Sequence, residues 1–393
     1  MRSIIAIVIA AELFAAPGAK AQSQATFVPA LSVSTMHDDN VLSAPSGAGD
    51  VLTYIRPSLE GRYDSPTLNM ESLISFDIQR SGQHSSLNTL DARRHAMFDG
   101  RVRSTSSLLL GLAARYDRTQ TPGELNLDSG IMLVRQRAQR VQFTPSVDYR
   151  VTPKTTISTQ YDWTTEALSS APSGNQDLHV ARLGFARQWS PRTTWSARYL
   201  GRLFVDDAGT HRSHAAMVGW TRRMTPATSL SLQAGPRVRS YAAVTSEMSA
   251  ALIRRTPRTR FLTDYWHGET IVLGIPGPVA IHSGSAKMSW ALRRSLDLGT
   301  TLGVFSSTTL DARQARVYHA SLTGAWSREP YIVSFSYGSD LQQGDIRTRR
   351  SGDEQTRRGV FLIRLTVAPR LSRAFRPPDD ADEATTPLKG VIQ

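Results

Sequence analysis

The chain has 393 residues, and its 46 lysines and arginines against 33 aspartates and glutamates give a formal charge of +13. The mean hydropathy of −0.28 excludes a polytopic helical membrane protein, because no stretch beyond the N-terminus approaches the roughly 18 apolar residues of a spanning helix. The absence of cysteine excludes disulfide scaffolds, cysteine nucleophiles and thiolate metal sites. The length suits two or three ordinary domains or one large β architecture.

The N-terminus has the pattern of a secretory signal. A short basic start precedes an apolar run over 4–16, and Pro17-Gly18 then ends the run before an A-x-A cleavage pattern at 19–21. A buried helix or an anchor is the alternative, but the run is short and ends in a helix breaker. We therefore predict a cleaved signal peptide over residues 1–21 and export of the mature chain.

Most of the remaining chain alternates between apolar and polar residues with a period of two. Within 155–164, Ile157, Tyr161 and Trp163 fall on one face, and the residues between them are polar. Successive side chains of a strand point to opposite faces, so the pattern predicts a strand with one apolar and one polar face. The alternation recurs over 68–79, 230–239, 286–293, 331–338 and 361–367. No long window beyond the signal has helical spacing.

Turns of two kinds separate the strands. Proline presets a turn dihedral and lacks an N–H for the sheet, so it belongs between strands. Eight short proline- or serine-containing turns are predicted at Pro66, 104–106, Pro153, Pro191, Pro226, Pro257, 295–297 and Pro330. Nine longer, glycine-rich or polar connections are predicted at 38–50, 81–89, 121–130, 169–177, 206–212, 242–246, 274–279, 311–314 and 342–355.

Short turns at one end and longer loops at the other are typical of a transmembrane β-barrel. One strand on each side of nine loops gives about 18 strands, with a range of 16–20 because the segment 131–151 is long and poorly amphipathic. We predict an all-β fold, one up-and-down antiparallel transmembrane β-barrel over 22–369. An even strand number returns both termini to the periplasmic side, where a polar, disordered tail is expected over 370–393.

A secreted β-sandwich, propeller or β-helix is the soluble alternative, since alternation alone does not distinguish a lipid-facing sheet from one that packs on another layer. The tryptophans favour the membrane barrel. Five of them lie beside short turns on the apolar face, as in the aromatic belt at a membrane interface. They are Trp189, Trp195, Trp220, Trp290 and Trp326.

One segment carries a family resemblance. The sequence MHDDNV over 36–41, followed by Asp50, Pro57 and Tyr63, resembles the opening of outer-membrane β-barrel porins found beside exopolysaccharide synthesis and export genes. The strand–Ser/Thr-Pro–Thr–strand repeats, such as QWSPRTT over 188–194, resemble the same group. The resemblance implies an outer-membrane pore, with a polysaccharide as one candidate cargo. Periplasmic export proteins are further candidate partners.

The polar strand face would line the lumen, and there cations outnumber anions. A barrel of 16–18 strands is wide enough for an aqueous channel, and arginine rings in pores favour anions. Arginine also pairs with carboxylates through two hydrogen bonds, which suits uronic-acid sugars. The predicted lumen and ligand-binding residues are Arg182, Arg198, Arg202, Arg237, Arg239, Lys287 and Arg293. Alternatively, these side chains are solvated and paired with nearby carboxylates.

The sequence therefore predicts an outer-membrane porin or conduit for anionic solutes or an acidic exopolysaccharide. Lipid and lipopolysaccharide are its expected surroundings, and nucleic acid is not an expected partner because the arginines are spread over many strands. No catalytic residue, metal site or cofactor is predicted: no G-x-S-x-G elbow occurs, and His211 and His214 fall on opposite strand faces. A structural or surface-interaction barrel with a filled lumen, and an outer-membrane hydrolase, remain the alternatives.

Overall fold

A computed structural model describes residues 23–44, 47–126, 128–169, 175–207, 209–240, 242–344 and 355–368. Within these ranges the chain forms 18 antiparallel strands and two single-turn 3-10 helices, Ser85–Leu87 and Pro122–Leu125. The strands are β1 (Gln24–Asp38), β2 (Asp50–Asp64), β3 (Leu68–Ser81), β4 (Thr89–Arg103), β5 (Leu108–Thr119), β6 (Ala138–Thr152), β7 (Thr155–Leu168), β8 (Gln176–Ser190), β9 (Thr193–Asp206), β10 (Gly209–Thr225), β11 (Thr228–Arg239), β12 (Ala242–Arg255), β13 (Thr259–Val272), β14 (Ile275–Arg293), β15 (Leu296–Thr308), β16 (Gln314–Arg328), β17 (Tyr331–Gln343) and β18 (Gln355–Val367).

The sheet closes on itself. Every strand pairs with its neighbours in sequence, and β1 also pairs with β18, so that Val33 lies opposite both Ile55 of β2 and Leu365 of β18. Each described strand is thus paired on both sides over at least part of its length; the β1–β18 ladder covers 31–38 of β1, and the β12–β13 ladder covers 248–255 of β12. The predicted 18-stranded, up-and-down antiparallel barrel is confirmed. The predicted signal peptide over 1–21 and the tail over 370–393 lie outside the described residues.

The two faces of each strand differ as the alternation predicts. On β1, the outward side chains of Leu31 and Val33 are 48% and 44% exposed, whereas the inward Ser32 and Ser34 are 5% and 6% exposed. Large apolar and aromatic side chains continue this exposed outer face around the barrel, among them Trp195 on β9. An outer face of this kind suits hydrocarbon, because the sheet satisfies its own backbone groups. None of the described helices is long and apolar enough to cross a membrane.

The connections divide into two ends of the barrel. The short-turn end carries the eight tight connections 65–67, 104–107, 153–154, 191–192, 226–227, 256–258, 294–295 and 329–330, which coincide with the predicted turns. The long-loop end carries the other nine connections, and three of those are shorter than predicted. Strands β10, β12 and β14 extend through most of 206–212, 242–246 and 274–279. Thr210 and Thr245 there pair with Val205 and Arg237, and β14 accommodates its glycine and prolines at 276–278 in a β-bulge.

The β5–β6 connection is longer than predicted. It runs over 120–137, whereas the sequence assigned 121–130 to the loop and treated 131–151 as one poorly amphipathic strand region. The connection is therefore longer than any loop predicted from the sequence. The apolar residues at 131–133 are not strand residues; they are buried inside the barrel, as described below.

Candidate functional site

The described residues of the connection 120–137, which are 120–126 and 128–137, enter the barrel and are here called the inserted loop. Its side chains Leu125, Ile131 and Leu133 are buried against inward-facing residues of β14 and β16, including Val279 and Val317. Burial of this apolar surface holds the loop against the wall, at about 25 cal/mol per Å² removed from water.

Polar contacts fasten the inserted loop at two separated points of the wall. The backbone N–H of Met132 donates to Gln342 Oε1 on β17 at 2.7 Å, and Arg135 Nη2 donates to Gln79 Oε1 on β3 at 2.7 Å. Strands β17 and β3 are separated by β18, β1 and β2 around the barrel. The loop therefore leaves the wall at β5 and reaches across the interior as far as β17.

The end of the β13–β14 hairpin, residues 271–275, meets the inserted loop and is called the hairpin tip. Leu273 N–H donates to Asn126 Oδ1 at 3.1 Å, and Gln176 Nε2 on β8 donates to the Val272 carbonyl at 2.8 Å. Gly274 has φ of +75°, a left-handed conformation that glycine adopts without strain and that turns the chain here. The loop and the tip together narrow the long-loop end of the interior.

The interior is less polar than the sequence predicts. Besides the apolar contacts of the inserted loop, a second buried cluster joins the inner faces of β8, β9 and β10 to Ile271 of the hairpin tip. Its other members are Leu178, Val180, Leu200, Phe204, Ala215 and Met217. The expectation that the whole inward face is polar is wrong, because strands that pack against an inserted segment need apolar side chains on that face.

Five of the predicted site arginines lie on one part of the inner face and are called the basic wall: Arg182, Arg198, Arg202, Arg237 and Arg239. Arg202 donates from Nη1 to Glu247 Oε2 at 2.8 Å and from Nη2 to the other oxygen of the same carboxylate. Arg182 pairs with Asp162 on β7, and Arg239 pairs with Glu269 on β13. Arg198 is half-buried and lies on β9 two residues closer to the short-turn end than Leu200. Both members of the Arg202–Glu247 pair are buried, which strengthens their attraction.

Arg237 is the centre of this network and has no exposed surface. Its Nη1 lies 3.7 Å from Glu247 Oε2 and its Nε lies 3.7 Å from Glu269 Oε2, while Nε donates to Thr245 Oγ1 at 3.1 Å. Neither Nη1 nor Nη2 has a hydrogen-bond acceptor among the described residues. Both neighbouring carboxylates already bind another arginine, so Arg237 holds buried donors that a small anion or water would satisfy.

The two other predicted site residues lie elsewhere. Lys287 and Arg293 are further along β14 toward the short-turn end, and Arg293 is exposed at the last position of the strand. The carboxylates of the network, Glu247 and Glu269, were missed by the sequence reasoning. Alternation along β12 could have revealed Glu247, but the predicted loop at 242–246 concealed the start of that strand.

A second group of charges, also missed in part, joins the inserted loop to the wall. Arg93 on β4 donates from Nε to Glu124 Oε2 of the loop at 2.8 Å, lies 3.5 Å from Asp77 and stacks 5.1 Å from the centre of the Tyr54 ring. Burial alone would raise the pKa of Glu124, but the Arg93 charge and its hydrogen bonds hold that pKa below its usual value. Glu124 is thus an anion that anchors the loop.

Asp128 of the inserted loop behaves differently. Burial raises its pKa to about 6; the positive charge of Arg140 opposes this effect, and the negative charge of Glu166 reinforces it. The loop therefore carries a carboxyl group that changes charge close to neutral pH.

A serine, a histidine and an aspartate meet at the long-loop end. His84 Nδ1 lies 2.9 Å from Asp50 Oδ2, and Ser81 Oγ donates to the same carboxylate oxygen rather than to the imidazole. A nucleophilic serine needs the histidine as its base, so this arrangement fastens the loop and does not activate Ser81. In the described part of the chain, no group of three or more potential metal ligands is arranged to hold an ion.

Comparisons with known proteins give fold neighbours but no family. No protein-family model and no curated protein sequence matches this chain. Among solved structures, OccAB4 from Acinetobacter baumannii matches with 7% identity and a TM-score of 0.46, covering 88% of this chain and 99% of that one. OpdL from Pseudomonas aeruginosa matches with 11% identity and a TM-score of 0.48, covering 88% and 99%. An anion-selective porin from Comamonas acidovorans matches with 10% identity and a TM-score of 0.39, covering 88% and 100%.

Proposed function

We propose that this chain is an outer-membrane β-barrel channel that favours anions. The basic wall carries the proposal: its five arginines face the three carboxylates Asp162, Glu247 and Glu269, which leaves an excess of two positive charges on one part of the inner face. Fixed cations in a narrow, low-dielectric passage attract anions and repel cations. The closed barrel with an exposed apolar outer face and the predicted export signal support the outer membrane as its location.

Single-channel conductance in a planar bilayer with a salt gradient tests this proposal. We expect open steps with a reversal potential of anion-selective sign. The double variant R182Q/R198Q removes two positive charges from the basic wall and should shift that potential toward zero. The matched control R222Q/R328Q removes two outward, exposed arginines at the short-turn end and should leave it unchanged. Cation-selective steps, or equal effects of both double variants, would overturn the arginine-based mechanism.

We also propose an acidic polysaccharide as the cargo. Each uronic-acid unit carries one carboxylate, and the half-buried guanidinium groups of Arg182 and Arg198 on the inner face are suited to such a group. An oligouronate should interrupt the single-channel current at concentrations where a neutral oligosaccharide of equal length does not. Equal interruption by the two oligosaccharides would remove the polysaccharide from the proposal and leave the anion channel.

A barrel with a filled lumen and no transport is the second candidate, because the inserted loop and the hairpin tip meet inside the barrel. The same recording distinguishes the two candidates. A folded, heat-modifiable barrel that gives no current, and that gains current when the apolar contacts of the loop are removed, would favour the filled barrel.

A further inference from the structure

The outer face of β4 and β5 carries a pair of arginines near the long-loop end. Arg94 and Arg118 are directly opposite each other in the antiparallel register. Both point away from the interior, because the adjacent Arg93 contacts inward Asp77 and Arg94 itself is 52% exposed. Like charges at directly opposite positions destabilise a sheet unless an anion lies between them.

One carboxylate lies between them. Asp91 Oδ1 accepts from Arg94 Nε at 2.6 Å, and Asp91 Oδ2 lies 3.0 Å from Arg118 Nη1. A single aspartate compensates one of the two positive charges. Arg80 adds a third exposed cation on the outer face of neighbouring β3. The patch therefore keeps a positive excess and holds guanidinium groups in position through Asp91.

The patch lies where the apolar outer face ends. Phe76 on β3 is opposite Arg94 and is 44% exposed. Tyr116 lies on the outer face of β5, two residues closer to the short-turn end than Arg118. Nearer the long-loop end than these two aromatic side chains, the outer face of β3 and β5 carries Arg80 and Arg118. Aromatic side chains beside cations are typical of the boundary between hydrocarbon and headgroups. The arginines thus lie at headgroup depth in the leaflet on the long-loop side.

We propose that Arg94 and Arg118 bind a phosphate group of lipid A, the phosphorylated glycolipid of the outer leaflet. The proposal rests on the proposed outer-membrane location, which places the long loops outside. A guanidinium group forms two parallel hydrogen bonds with a phosphate, and a phosphate supplies the charge that Asp91 leaves uncompensated. The lipid would then lie against Phe76 with its acyl chains on the apolar face below.

Binding of lipid A to the folded full-length chain in detergent, measured by native mass spectrometry, tests the proposal. R94Q/R118Q should weaken the binding of bisphosphorylated lipid A about tenfold or more, because the loss of a single charge-assisted hydrogen bond lowers an affinity by about that factor. R222Q/R328Q, which removes two outward arginines at the other end, should change it less than about twofold. R94K/R118K keeps both charges but cannot form two parallel hydrogen bonds with a phosphate, so we expect an intermediate loss of lipid A affinity. If R94Q/R118Q does not fold, R94K/R118K replaces it in the test.

Three probes separate the source of the phosphate. Lipid A without its phosphates, phosphatidylglycerol and inorganic phosphate should each bind more weakly than bisphosphorylated lipid A. Equal binding of dephosphorylated lipid A or phosphatidylglycerol, or equal losses in both glutamine double variants, would overturn the proposal. Conductance of R94Q/R118Q is recorded in parallel and should match the wild type. A silent wild type would count against the channel, whereas a wild type that conducts but does not bind bisphosphorylated lipid A would count against this site.

Discussion

Arg202 on β9 and Glu247 on β12 form a buried ion pair across the inner face, although 45 residues separate them in the sequence. Strands β10 and β11 lie between β9 and β12 in the sheet. The two side chains therefore reach each other across the inner faces of these two strands. The pair is 7% and 2% exposed, and it holds Glu247 next to Arg237. This contact fixes the geometry of the basic wall.

Glu247→Gln should destabilise the barrel by about 3–5 kcal/mol, because it leaves buried Arg202 without its counter-charge. The measurement is the free energy of unfolding from urea titrations of the barrel in lipid vesicles. Arg62→Gln is the control, since its pair with Asp64 is 43% and 40% exposed and should contribute less than about 1 kcal/mol. Equal, small losses in both variants would show that the buried pair does not stabilise the wall.

I131A/L133A should release the inserted loop from β14 and β16. Each truncation of a fully buried side chain costs about 2–5 kcal/mol of packing, so the loop would leave the interior for part of the time. We expect a larger single-channel conductance or longer openings than in the wild type. V304A, on the outer face of β15, is the control and should leave the current as it is. Unchanged conductance in I131A/L133A would show that the loop does not restrict the passage.

Asn126→Ala should separate the hairpin tip from the inserted loop. The substitution removes the acceptor of the Leu273 amide and the donor to the Ile131 carbonyl. Hydrogen–deuterium exchange at Leu273 should accelerate about tenfold or more, because the loss of one buried hydrogen bond costs about 1–3 kcal/mol. Exchange at Val360 in β18 is the internal reference. An unchanged rate at Leu273 would mean that the tip is held by its other contacts.

Stability should fall as the pH rises through the range set by Asp128. Its pKa is about 6 in the folded chain and near the ordinary 3.8 when unfolded, so between these values the folded state holds one proton more. The contribution of Asp128 to the free energy of unfolding therefore decreases from about pH 4 to about pH 6 and is constant above that range. Asp128→Asn should lose this part of the pH dependence. Identical pH profiles of the two proteins would contradict the assignment.

The strand pattern could be predicted because it is a local property. Side chains such as Leu31 and Ser32 alternate with a period of two, and turns at positions such as Pro191 and Pro226 separate the strands. Both signals depend on neighbouring residues only, and each is repeated many times along the chain. The count of 18 strands follows from the repetition, because each predicted loop implies one strand on either side even where the alternation in one segment is weak.

The inserted loop could not be predicted from local pattern. The run over 131–134 is apolar like a strand. Only the burial of Ile131 and Leu133 in one cluster with Val279 and Val317, far away in sequence, places it inside the barrel. Burial against β14 and β16 therefore decides its conformation.

The sequence by itself determined a closed barrel with an apolar outer face, and it identified arginines such as Arg202 and Arg237 on the opposite face. Only the tertiary structure decided which carboxylates those arginines meet, that Arg237 is fully buried, and that Lys287 and Arg293 lie away from the network. The physical reason is that strand alternation depends on adjacent residues. Ion pairing and burial depend on side chains that closure of the sheet brings together across the interior.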